Sequence, residues 1–174
     1  MGIVYALTVL SSRRHLTIAL LIPLLFSVTV HTETPTATQT IQPEQPALEL
    51  VECLALTLYW EAGGESHAGI VAVGWVVLNR LAHPEFPSTI CQVVQQGGKQ
   101  PGCQFAYWCD GKSDTPIDPE LWTRVRSIAQ DILTLGHPDP TGGALFFHSA
   151  SLENIPWTVN RQRTTQIGNQ IYYR

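Results

Sequence analysis

An α+β domain, mostly helical with a small sheet toward the C-terminal end, is what the hydrophobic periodicity predicts. Apolar residues recur at helical spacing in four separate stretches between residues 48 and 135. The runs that read as strands come later, in A-L-F-F-H-S at 144–149 and at 170–174. Helices therefore precede strands instead of alternating with them, and no internal repeat occurs, which points away from a parallel α/β sheet. Composition agrees: 44% hydrophobic and 14% charged in 174 residues suffices for one buried core plus extensions.

Taken in order, the chain opens with Arg13 and Arg14 followed by an uncharged run at 16–30, which has the length of a secretory apolar region and not of a membrane span. Residues 1–32 are expected to be a signal peptide or, since 28–32 lacks a small-x-small cleavage site, an uncleaved N-terminal anchor. Either reading places the domain in the periplasm or cell envelope, with transient membrane association through this segment. Residues 33–47 mix Thr, Pro and Gln without periodicity and read as a disordered linker. The compact domain is expected over 48–174.

Its first helix carries Leu50, Val51, Leu54 and Leu58 on one face and stops at Gly63 and Gly64. Ser66 is placed to cap a second, buried helix, where Ile70, Val73, Gly74, Val77 and Leu81 share a face before Pro84 ends it. A short third helix starts near Pro87 and Ser88, runs through Ile90, Val93 and Val94, and closes at Gly97 and Gly98. Residues 98–118 crowd aromatics between two cysteines beside an Asp-Gly turn signal, so an irregular, disulfide-braced hairpin is expected there. Asp118 and Pro119 open a fourth helix with a stripe from Leu121 to Leu133, and Gly136 ends it.

The formal charge of −4 and the absence of any Lys/Arg cluster argue against a nucleic-acid partner. Residues 1–32 hold two Arg and no acid, so the remainder has 8 basic against 14 acidic residues, a net −6. Four cysteines lie beyond that segment, and an even number in an exported chain favours two disulfides. Three connectivities are open. Cys103 with Cys109, closing a small loop, and Cys53 with Cys91, tying the first helix to a later one, is the expected pairing.

Chemistry concentrates at Y-W-E-A-G-G-E-S, residues 59–66. Glu61 stands beside Tyr59 and Trp60 at the end of a helix, where an apolar wall and the negative helix terminus both disfavour ionisation. A carboxyl kept protonated in this way suits a general acid. Glu65 is a second carboxylate four residues on, in a position that an acid at the next helix's N-terminus also occupies, and the structural reading is preferred. Phe105, Tyr107, Trp108 and Asp110 fall in the expected hairpin, where the aromatics either stack on sugar rings or fill the core, and Asp110 could bind hydroxyls. Asn79 and Arg80 end the buried helix with two polar groups, which points to a structural hydrogen-bond network. His67, His137, His148, Asp110 and Glu61 could supply metal ligands, but no close histidine pair or H-E-x-x-H occurs, so no metal is expected. No Gly-rich phosphate loop follows a strand, and no cofactor is expected.

Five ordered motifs, Y-W-E-A-G-G-E-S, A-V-G-W-V-V-L-N-R, C-Q-F-A-Y-W-C-D-G-K-S-D, T-G-G-A-L-F-F-H and I-G-N-Q-I-Y-Y-R, carry a resemblance over residues 53–174. The chain resembles the bacterial cell wall hydrolase family typified by the spore cortex-lytic enzyme catalytic domain (SleB-like). The resemblance implies a lysozyme-related domain that cleaves the glycan strand of peptidoglycan, in several members as a lytic transglycosylase; a monomer is expected. It also implies that Glu61, the first acid of the E-A-x-G-E motif, is the catalytic acid, and that His148 is a cleft-side polar contact; Phe105, Trp108, Asp110 and Trp157 are the further substrate-binding candidates. Gly63 stands where the family usually carries Arg, and Gln170 where it usually carries His. The missing cation beside the acid motivates one alternative, a non-catalytic peptidoglycan-binding homologue, and the scattered histidines the other, a metal-dependent hydrolase.

Overall fold

A computed structural model describes residues 45–98 and 102–174. The expected signal or anchor at 1–32 and most of the linker at 33–47 lie outside the described residues. Helix α1 (Gln45–Ala62) begins a little ahead of residue 48, with Pro46 in its first turn, where a missing N–H leaves no hydrogen bond unmade. It is followed by α2 (His67–Leu81), α3 (Ile90–Val94), α4 (Pro119–Leu135) and three strands, β1 (Phe146–Ser149), β2 (Arg163–Ile167) and β3 (Gln170–Tyr173). Short 3₁₀ turns form at Ala106–Trp108 and Pro156–Thr158.

The caps follow from residue chemistry. Ser66 accepts from the Gly69 N–H at 3.3 Å and opens α2, and Thr89 does the same for α3 through Gln92. Asp118 takes the N–H groups of Glu120 and Leu121, with Pro119 as the first helical residue of α4.

Helix α1 is the hub, packed against α2, α3 and α4. Leu54, Leu58, Ile70, Val73, Val77, Val93 and Val125 are fully or nearly fully buried in one core between these helices. Helix α2 is apolar on two faces: Ala72 and Val76 turn away from that core and pack with Ala144 and Tyr172 under the sheet. This is why its valine-rich sequence lacks a polar stripe. The C-terminal end of α2 is fastened by Asn79, whose amide donates to Asp139, Thr141 and the Ala144 carbonyl at 3.1–3.2 Å. Burial pushes the Asp139 carboxyl up, but hydrogen bonds from Thr141, Gly143 and Asn79 outweigh it and hold it below its ordinary range.

The sheet is antiparallel with order β1-β3-β2, so β3 is central and its Tyr172 is fully buried. Phe147 faces Tyr172 across the β1–β3 pair, and β2 pairs with β3 with a bulge between Arg163 and Thr165. Strand β2, R-T-T-Q-I, has no place in the periodicity reading: an edge strand of polar residues shows no apolar alternation. It forms because the tight turn at Gly168 (φ 57°) folds it back on β3.

The hairpin expected over 98–118 is not formed among the described residues 102–118. Cys103 and Cys109 are bonded to each other, six residues apart, and the enclosed chain coils into the Ala106–Trp108 turn. The Asp-Gly signal is used locally, with Asp110 accepting from the Lys112 N–H at 2.9 Å. The second disulfide joins Cys53 in α1 to Cys91 in α3.

Candidate active site

Helix α1 delivers Glu61 one residue before its end, on the wall of a cleft of about 310 Å³. The facing wall is the loop after Cys103, which brings in Tyr107, Asp110, Lys112 and Asp114. The aromatic pair before Glu61 holds this wall in place. Tyr59 is buried and its hydroxyl accepts the N–H groups of Ile117 and Asp118 at 3.0 and 2.9 Å, while Trp60 Nε1 donates to the Asp114 carbonyl at 3.1 Å.

Burial raises the pKa of Glu61. Against it work hydrogen bonds from the backbone N–H groups of Ala106 and Tyr107, and the charge of Arg80, each favouring the ionised form; burial wins and the carboxyl stays above its ordinary range. Both amides belong to the loop closed by Cys103 and Cys109. Behind this loop Thr57, fully buried, exchanges a 3.0 Å hydrogen bond with the Tyr107 hydroxyl, whose pKa burial pushes up to about 12.

Arg80 is the buried cation of the site, 3% exposed, with its pKa lowered by desolvation to about 10. Its Nε donates to the Leu145 carbonyl at 2.7 Å, and its guanidinium lies 5.0–5.6 Å from the ring centres of Phe86, Phe105 and Phe146. The expected structural role of Asn79 and Arg80 thus appears as two anchors, one to the 139–144 turn and one to the start of the sheet.

The other residues singled out in the sequence separate. Asp110 shares the Glu61 cleft and lies 3.6 Å from Lys112 Nζ. Trp108 is half-buried and packs against the helical core. Phe105 is 1% exposed under the Arg80 guanidinium, so it offers no face to a sugar, which corrects its assignment as a binding residue. His148 and Trp157 do not line the Glu61 cleft. They form an aromatic cluster on the sheet, where His148 stacks on Tyr173 at 5.4 Å and meets Trp157 edge-on at 5.6 Å. Both His148 nitrogens have partners inside the protein: Nδ1 donates to the Ser149 carbonyl, and Nε2 pairs with the Tyr173 hydroxyl. Glu65 leaves the cleft as well, since its Oε2 accepts from the Asn169 N–H at 3.1 Å and ties the α1–α2 turn to the β2–β3 turn. A Cβ at Gly168 would collide with that oxygen.

Gly63 has a steric reason. A Cβ there would stand 2.5 Å from the Tyr59 carbonyl oxygen and 2.8 Å from Leu121, and Arg124 donates to the Gly63 carbonyl at 3.1 Å. Two of the candidate metal-ligand histidines, His67 and His137, line a different cleft of about 250 Å³ with Asp131. Among the described residues no three His, Cys, Asp or Glu side chains gather in metal-binding geometry. Sequence reasoning did not reach the amides of Ala106 and Tyr107, or Lys112 and Asp114; the one signal was the cysteine pair that shapes their loop.

A family model described as cell wall hydrolase matches residues 64–173, starting just past Glu61. The spore cortex-lytic enzyme of Halalkalibacterium halodurans is 30% identical over 122 residues, covering 70% of this chain and 34% of that protein. Those of Oceanobacillus iheyensis and Bacillus subtilis are 28% and 27% identical, each over 70% of this chain and 40% and 36% of theirs. The chain therefore spans between a third and two fifths of the length of these relatives. Among solved structures, the catalytic domain of the Bacillus cereus SleB protein superposes with a TM-score of 0.56 at 26% identity, covering 73% of this chain and 91% of that one. The catalytic domain of the germination-specific lytic transglycosylase SleB from Bacillus anthracis gives 0.58 at 26% identity, covering 76% and 100%.

Proposed function

The chain belongs to the cell wall hydrolase family, and from that premise we propose that its domain cleaves the glycan strand of peptidoglycan as a lytic transglycosylase, with Glu61 as its single acid and base. The observation that carries this reading is the state of Glu61: a carboxyl on the wall of the cleft, held above its ordinary range by burial. In the first step the protonated carboxyl gives its proton to the glycosidic oxygen, and the C1–O bond breaks with oxocarbenium character. In the second, the Glu61 carboxylate takes the proton of the same sugar's C6 hydroxyl as that oxygen bonds to C1, which leaves a 1,6-anhydro end and restores the acid. The ionised intermediate has its stabilisers in place in the Ala106 and Tyr107 N–H groups and in Arg80.

Two of the other carboxylates support the single-acid form. Glu65 is committed to the Asn169 amide, and Asp110 sits on the exposed rim beside Lys112. We assign Asp110 and Lys112 to sugar hydroxyls. Such a substrate lies outside the cytoplasmic membrane, in keeping with the proposal that residues 1–32 direct export and 33–47 tether the domain.

Digestion of purified peptidoglycan by wild type and Glu61→Gln tests the reading. Soluble muropeptide release is expected to fall by about 10²–10⁴, the usual contribution of a general acid, and mass spectra of the wild-type products are expected to show 1,6-anhydro ends. Reducing ends instead would mean hydrolysis, equal release by the two proteins would remove Glu61 from the chemistry, and release by neither would identify a non-catalytic homologue.

A further inference from the structure

Trp60 has no part in the chemistry above, yet it lines the same cleft as Glu61. It is 38% exposed, whereas its neighbour Tyr59 is 6% exposed. Its ring is held on two sides: Nε1 donates to the Asp114 carbonyl at 3.1 Å, and the ring meets Tyr59 edge-on at 5.0 Å. An exposed indole fixed this way has already lost its rotamer freedom, so a ligand that lies on it pays little further entropy. Around it stand polar groups, Asp110, Lys112 and Ser113. An apolar platform ringed by hydrogen-bonding groups matches a pyranose, which presents a C–H face and a rim of hydroxyls.

The cleft also discriminates by charge. Among the described residues its lining carries the acidic side chains of Asp110 and Asp114 together with Lys112, which sits 3.6 Å from Asp110. An anionic group on the sugar would meet like charge there. We propose that Trp60 is the stacking platform of the glycan cleft and holds an uncharged N-acetylglucosamine-type ring next to Glu61. This rests on the glycan-cleaving reading of the cleft.

Trp60 has a competing role, because its indole N–H also anchors the wall at Asp114. Two substitutions separate the roles: Trp60→Phe keeps an aromatic face and loses the anchor, and Trp60→Ala loses both. The full chain carrying Glu61→Gln is titrated calorimetrically with chitotetraose, alone and combined with each Trp60 substitution, the fold of each being checked by circular dichroism. Trp60→Ala is expected to weaken binding at least about tenfold, the loss typical of one truncated aromatic anchor, and Trp60→Phe by less than about threefold. Equal losses for the two would assign Trp60 to the wall alone. An unchanged Kd in Trp60→Ala, or no binding by the folded Glu61→Gln parent, would overturn the platform. Peptidoglycan digestion by Glu61→Gln reports separately on the catalytic reading, so the two can fail independently.

Discussion

Glu61 illustrates how a helix end becomes an acid. The residue is short of α1's terminus by one position, so its side chain leaves the helical core and enters a cleft, and burial there keeps it protonated above the ordinary glutamate range. Activity is therefore expected to hold through the pH range in which free glutamate ionises and to fall only as pH rises through the raised pKa; a kcat/KM profile measures this. Stability carries the same sign. Because the folded pKa exceeds the unfolded one, the native state binds more protons between the two, and stability is full below the unfolded pKa and lost as pH rises through the folded one. Denaturant midpoints of wild type and Glu61→Gln should thus shift in favour of Gln as pH rises across that window, and parallel midpoints would show that Glu61 is not perturbed. The direction of this shift was legible in Y-W-E, since aromatic neighbours and a helix terminus both imply it. The opposing amides were not legible, because Ala106 and Tyr107 lie over forty residues away in a loop whose path no local pattern specifies. Gly63 was legible as a departure and not as a steric necessity, which depends on Leu121 of α4.

Between elements, the end of α1 and the turn after it do two jobs with two acids four residues apart. Glu61 faces the loop at 106–107, and Glu65 faces the β2–β3 turn through the Asn169 N–H. That hydrogen bond is one of the links between the helical part and the sheet. Glu65→Ala is expected to cost about 1.5–3 kcal/mol, as for a hydrogen bond to a charged group, while Glu65→Gln, which keeps an acceptor, retains most of the stability and of the activity. Chemical unfolding and peptidoglycan digestion check both; loss of activity in Glu65→Gln on the scale expected for Glu61→Gln would make Glu65 a second catalytic acid. Helix caps at Ser66 and Asp118 were readable because capping is local chemistry between neighbours. Strand β2 was unreadable for the converse reason: its residues are polar, and only pairing with β3 makes them a strand.

Across the whole molecule, the two disulfides divide stability and function between them. Cys53–Cys91 spans 38 residues and joins α1 to α3, whereas Cys103–Cys109 spans 6 and shapes the loop that holds Glu61. On loop-closure entropy the first contributes ~4 kcal/mol and the second ~2 kcal/mol. Paired Cys→Ser substitution at 53 and 91 is therefore expected to lower the denaturant midpoint more, and at 103 and 109 to lower activity more; the reverse order in either measurement would contradict this division. By itself the sequence determined the four helices, the caps of α2 and α4, the α+β class and the family, since each depends on residue types and spacings within a few turns of chain. Tertiary structure alone decided which aromatics face the cleft and which the core: Phe105 went under Arg80, His148 and Trp157 onto the sheet, and Trp60 to the rim beside Glu61. The physical reason is that burial and proximity are set by contacts between distant segments, and an aromatic residue has the same composition on either side of a wall.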